Sequence, residues 1–285
     1  MLNLLGKRYV FFGISLLIII PGLILAAIGL PLAIDFTGGS LLEVRFESGK
    51  APQPASVIEL YNELGVEDVT VQTTGEDILI ARSSFLDDNT RGLIVSAMEQ
   101  KFSDTVTVRR FESVGPTIGQ EVTQRASLAV AVAAVIVILY VTYAFRGIPH
   151  AFRYGICAII AMVHDVAIVF SLGAIGGRLF GWQIDALFLT ALLTVIGFSV
   201  QDKIVVFDRI RENSTIYRKL PFETLVNHSI IQTLQRSINT QLMTVEFMLL
   251  ALALFGGVTL REFAVILLVG LFSGTYSSIF IAAPI

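Results

Sequence analysis

The sequence predicts an α-helical polytopic membrane protein of six transmembrane helices, with one α+β domain of ferredoxin-like (split βαβ) order inserted between helices 1 and 2. Composition and segregation lead there. Of 285 residues, 54% are hydrophobic and 15% charged, against roughly 25% charged in an ordinary soluble domain. Mean hydropathy is +0.77. The apolar residues fall in long blocks, interrupted in the first half by one polar block of about 95 residues. The only cysteine, Cys157, lies inside an apolar run, which excludes a disulfide framework and a thiolate metal cluster. A net charge of -3 gives no reason to expect nucleic acid as a partner.

A span needs ~20 mainly apolar residues to cross ~30 Å of hydrocarbon. Six stretches qualify, at about 9–30, 126–145, 154–176, 186–207, 237–256 and 263–285. Lys7 and Arg8 ahead of the first give it the flanks of a signal peptide, but its length and the lack of a small-residue cleavage site predict a retained helix. Pro21 near its middle predicts a kink or a helix contact. With the amino terminus in the cytosol, the inner side receives Lys7, Arg8, Arg146, Arg153, Arg209, Arg211, Arg218, Lys219 and Arg236. The two short outer connections hold only Arg178 and Arg261. Nine against two sets the orientation by the positive-inside rule. The domains are then a short cytosolic terminus and first helix over 1–30, an exported domain over 31–125, and five helices over 126–285 with a cytosolic loop at about 208–233. The chain stops at Ile285 while still apolar, so further chain is expected beyond it.

Within the exported block, alternation predicts strands at 41–46, 69–73, 78–82 and 106–111, and helical periodicity predicts helices at 54–64 and 87–102. Gly75-Glu76-Asp77 supplies the turn between the middle strands. Leu93, Ile94, Ala97, Met98 and Phe102 form the apolar stripe of the second helix. The order β-α-β-β-α-β is the split βαβ pattern.

Ionisable groups at bilayer depth cost at least ~2.5–3.5 kcal/mol and need a reason. The third span carries His164 and Asp165 near its midpoint. The fourth carries Asp202, with Ser199 three residues before it. Arg236, Asn239, Thr240 and Met243 share a face at the start of the fifth, with Glu246 deeper. Asp202 and Arg236 both approach the inner side, so an ion pair between them is sterically open. Paired, Asp202 stays charged; separated and buried, it favours the protonated form. That is the minimum for a proton-driven switch, and the same pair also fits a static contact that fixes helix packing. Lys203 points about 100° away from Asp202 and is expected to snorkel or meet another face. His164 and Asp165 fit either a polar relay or a packing network. Nothing stands at metal-ligand spacing, and no nucleotide or hydrolase motif appears, so neither cofactor nor enzymatic chemistry is expected. Gly270 and Gly274 have small-xxx-small spacing in the last span.

Ile34-Asp-Phe-Thr-Gly-Gly39 is similar to an early Asp-Phe-x-Gly-Gly motif, and the run from Gly197 to Asn213 to a distinctive fourth-span segment. Val114-Gly-Pro116, His164-Asp-Val166 and Leu234–Thr240 also agree. Together these segments resemble the SecF family, the smaller membrane subunits of bacterial SecDF export complexes, over essentially the whole chain. The resemblance implies half of a twelve-span assembly of the resistance-nodulation-division superfamily, in the bacterial cytoplasmic (inner) membrane. It implies SecD, the SecYEG channel and translocating preproteins as partners, with YajC as a further candidate. It also implies a non-enzymatic subunit, driven by the proton motive force, that helps preproteins move. In the family the fourth-span aspartate and fifth-span arginine are functional; they map onto Asp202 and Arg236. His164, Asp165, Ser199, Gln201, Asn239 and Thr240 are candidates for a polar relay or for packing. Asp35, Gly38, Gly39, Gly115 and Pro116 are expected to form the turns beside the exported domain. Phe198, Gln201 and Lys203 depart from the family's usual Tyr, Asn and Thr, and Lys203 adds a charge beside the proposed proton site. A proton-driven small-molecule transporter half and a passive scaffold of the Sec channel are the alternatives.

Overall fold

The computed structural model describes residues 4–144, 146, 151–241 and 247–285. The chain forms two compact units, one over Leu32–Ser127 and one from the residues up to Pro31 together with Leu128–Ile285.

In the first unit a short helix α2 (Ile34–Thr37) leads into β1 (Gly39–Phe46), after α1 (Arg8–Ile28) of the other unit. Then follow α3 (Pro54–Glu63), β2 (Thr70–Thr74), β3 (Ile78–Ser83), α4 (Asp88–Phe102) and β4 (Val106–Val114). The sheet order is β2-β3-β1-β4, with every neighbouring pair antiparallel. This is the split βαβ arrangement, in which β3 inserts between β1 and β2. Alternation along β1 sends Leu42, Val44 and Phe46 to one face, where they meet Val57, Leu60 and Tyr61 of α3 and Ile94 and Met98 of α4. Burial pushes the Tyr61 phenol well above its usual range. Asp87 caps α4 by accepting from the Thr90 N–H at 2.8 Å. Leu93, expected in the buried stripe, is 64% exposed. The Ile94–Met98 pair at i, i+4 sets the buried face, and Leu93 lies about 100° away from Ile94.

The chain turns at Gly38-Gly39 as it enters β1. Gly38 and Gly39 have φ of +74° and +120°, and a Cβ on Gly39 would lie 2.6 Å from the Ser83 carbonyl oxygen. A Cβ on Gly38 would press on Pro116, the first residue of α5 (Pro116–Ala144). Asp35 lies in the first turn of α2, and Gly115 immediately precedes α5 with open space around it.

The second unit contains α1, the later part of α5, α6 (Ala151–Phe180), α7 (Ala186–Ile216), α8 (Phe222–Gln241), α9 (Phe247–Phe255) and α10 (Val258–Ser277), the last running into a π-turn at Ser278–Ala282. Among the described residues, five helices are long and apolar enough to cross a membrane: Leu5–Ile28, Pro116–Ala144, Phe152–Phe180, Ala186–Ile216 and Leu260–Ala282. The predicted 237–256 span covers the end of α8 and all of α9, and its residues 242–246, with Met243 and Glu246, lie outside the described residues. The predicted loop at 208–233 is mostly helix: α7 runs on to Ile216 and α8 starts at Phe222. Asn213 explains why. It is buried and donates to Ser229 Oγ at 2.8 Å and to Gln232 Oε1 at 2.9 Å, tying α7 to α8.

Small residues permit the close approaches. Gly22 on α1 packs against Ser171 of α6, and Gly270 on α10 against Val195 of α7. Gly274 lies against Ser199, where a Cβ would be 3.3 Å from the Ser199 Cα. The small-xxx-small pair therefore faces α7, inside this chain.

Candidate functional site

Three long helices bring one polar cluster together in the apolar interior of the membrane unit. Asp165, about midway along α6, is 1% exposed. Its Oδ2 accepts from Ser199 at 2.5 Å, from Lys203 Nζ at 2.8 Å and from Ser277 at 2.6 Å. Its Oδ1 accepts from Ser273 at 2.8 Å and lies 3.0 Å from His164 Nδ1. Lys203 is completely buried, and its ammonium also reaches the carbonyl oxygen of Ser199 at 3.2 Å and the Ser199 hydroxyl. Ser199 and Lys203 are at i, i+4 on α7, so both meet α6 on one face. Asp202, 7% exposed, turns toward α10 and accepts from the Thr275 hydroxyl at 2.9 Å.

These contacts explain how charge is held in an apolar layer. Burying an isolated charge is prohibitively costly. Here a carboxylate and an ammonium neutralise each other, and three serine hydroxyls occupy the remaining lone pairs, which is the condition under which a buried pair is tolerated. Lys203 therefore neither snorkels nor faces lipid: it neutralises Asp165. It reaches inward because Asp165 lies on the helix that α7 faces there.

The other candidates are distributed unevenly. Gln201, Arg236, Asn239 and Thr240 are exposed. Among the described residues no ion pair joins Asp202 to Arg236. Asp165 is interior to this chain, 1% exposed. Among the described residues, no group of three or more His, Cys, Asp or Glu could hold a metal ion. Ser273, Thr275 and Ser277 escaped the sequence reading. Their signal was the polar run Ser273-Gly-Thr-Tyr-Ser-Ser278 inside an otherwise apolar span, with Ser273 and Ser277 at i, i+4.

Residues 94–285 match the family model of the protein export membrane protein SecD/SecF, C-terminal, and residues 23–50 match that of the SecD/SecF GG motif. The whole chain is 72% identical over 285 residues to a protein translocase subunit SecF from Anaerolinea thermophila, covering 92% of that protein. The chain belongs to the SecF family of protein translocase subunits. A SecF from Thermobaculum terrenum is 46% identical over 299 residues, with 99% of this chain and 92% of that protein covered. The crystal structure of SecDF, a translocon-associated membrane protein from Thermus thermophilus, superposes with a TM-score of 0.84 at 34% identity. It matches 99% of this chain, which spans 38% of that longer one. The SecF family consists of non-catalytic accessory subunits of protein export, and the stretch matching its GG motif contains the Gly38-Gly39 turn described above.

Proposed function

We propose that this SecF-family subunit, together with SecD, couples the proton motive force to preprotein movement through the SecYEG channel. The amino terminus is cytosolic and residues 31–125 stand on the extracytoplasmic side of the bacterial inner membrane, as the distribution of Lys and Arg around the spans supports. YajC is a further candidate neighbour. The observation that carries the reading is the buried Asp165–Lys203 pair on α6 and α7, next to Asp202 in the chain.

A buried carboxylate answers to protons. While Asp165 is ionised, it holds Lys203 and gathers hydroxyls from α7 and α10. A proton on Asp165 removes the charge that holds the ammonium and turns one acceptor oxygen into a donor. Asp202, the residue immediately before Lys203, is then the carboxylate left for the ammonium, and the serines of α10 must change partners. Such an exchange moves α7 against α6 and α10, which is the two-state element a coupling device needs. Asp202 and Arg236 are the proton-coupling pair that the family resemblance implies. In this account they associate in one state and stand apart in the other, and the exposed Arg236 supports the second arrangement here.

Preprotein export into vesicles containing SecYEG tests this reading. Stimulation is expected only when this chain, SecD and an imposed proton gradient are all present. Stimulation that survives collapse of the gradient by an uncoupler would overturn proton coupling.

A further inference from the structure

At the end of the membrane unit where α6 and α8 begin, a groove of about 200 Å³ lies between them, the later part of α7 and the turn after α10. Tyr154 and Cys157 of α6, Phe207 and Ile210 of α7, Val226 of α8 and Ala282 of the turn give it a mainly apolar wall. The Tyr154 and Phe207 rings meet edge to face at 5.3 Å between centroids, which joins the α6 and α7 sides. Ile210 and Val226 are buried, whereas Phe222 at the rim is exposed. Among the described residues, Arg153 is the only charged member of the lining. It is exposed and makes no ion pair among them. It stands in the first turn of α6, where the apolar stretch Phe152–Phe180 starts, at the level of lipid headgroups.

Water gains little in such a groove, since apolar cavities stay dry. What fits an apolar slot with one uncompensated guanidinium at its mouth is a molecule with an apolar tail and an anionic head. The surrounding bilayer supplies that molecule. The guanidinium also discriminates among lipids. A phosphate that carries the net charge of its headgroup is the bidentate partner Arg takes best, whereas a zwitterionic headgroup brings its own cation. Basic pockets between transmembrane helices recognise anionic headgroups in this way. We propose that the groove binds an anionic phospholipid of the bilayer, with its phosphate on Arg153 and one acyl chain lying between α6 and α7 beside Cys157. This site stands independently of the proton-coupling reading. Phe207 and Ile210 follow Lys203 at i+4 and i+7 on α7, so they share its face. The bound chain therefore packs against α7 one turn beyond the buried pair, and fills the space that α6, α7 and α8 leave between them.

The test is native mass spectrometry of the purified full chain, titrated with phosphatidylglycerol or with phosphatidylethanolamine of the same acyl chains. Alkylation of Cys157 by N-ethylmaleimide is followed in parallel. Cys157 is the only cysteine of the sequence, so the reagent reports on this groove alone. Phosphatidylglycerol is expected to be retained about fivefold more strongly, the worth of one basic residue at a membrane surface. It is also expected to slow alkylation of Cys157. R153Q should abolish the preference between the two lipids while leaving the melting temperature in detergent unchanged, because Arg153 is exposed. C157F, which fills the groove, should lower retention of both lipids. Equal retention of the two lipids by the native chain would overturn the proposal, as would a preference that persists in R153Q. Alkylation of Cys157 at the same rate with and without phosphatidylglycerol would overturn it as well. Should R153Q fail to fold, the lipid preference and Cys157 protection of the native chain, set against C157F, decide.

Discussion

Lys203 shows at the residue scale both what the sequence conveys and where it stops. Its position in an apolar span marks it as costly, and helical geometry says it points away from Asp202. Neither fact says which residue of another helix it will meet, because that depends on how α6 and α7 pack. The same limit applied to Ser199, which faces Asp165 with Lys203 rather than acting with Asp202. His164, Asp165 and Asp202 were legible because ionisable residues in an apolar run stand out one by one. Breaking a buried pair by removing one partner costs about 3–5 kcal/mol, whereas removing both can be nearly neutral. K203M is therefore expected to lower the thermal stability of the purified protein severely. D165N/K203M should recover most of that loss, with thermal melting in detergent as the check. Equal destabilisation by the single and double variants would contradict the pairing.

At the scale of elements, the inserted α+β domain was the most readable part of the chain. The alternation in β1 and the turn residues around Gly75 fix strands locally, and the observed ends differ from the predicted ones by a few residues at most. The α7–α8 connection was not readable, because its helices are held by Asn213, Ser229 and Gln232, a contact between residues distant in sequence with no periodic signal. One element carries a pH dependence of known sign. Hydrogen bonds from the Thr90 side chain and N–H hold the Asp87 carboxyl below its usual range. A depressed folded value means the cap stabilises α4 above the unfolded carboxylate range and loses that contribution as pH falls through the folded one. Acid titration of the native protein, followed by hydrogen exchange of α4 amides, should show this loss. D87A should lower α4 protection at neutral pH and flatten the acid dependence.

For the whole molecule, composition established a membrane protein and an inserted soluble domain, since lipid and water impose different residue types over long stretches. Five spans appear among the described residues as helices of sufficient length, and the 237–256 stretch was legible only as hydropathy. What composition could not convey is the division of labour among charges. The basic residues that orient the chain are mostly exposed, whereas Lys203 serves the interior. The central claim is that the charges of α6 and α7, held by hydroxyls of α10, answer to protons and drive export. Gradient-stimulated export by assembled complexes carrying D202N tests it most directly, because Asn keeps an acceptor for Thr275 and removes the titration. The account predicts intact assembly, with the gradient-dependent component of export largely lost. A native response to the gradient in assembled D202N complexes would contradict it.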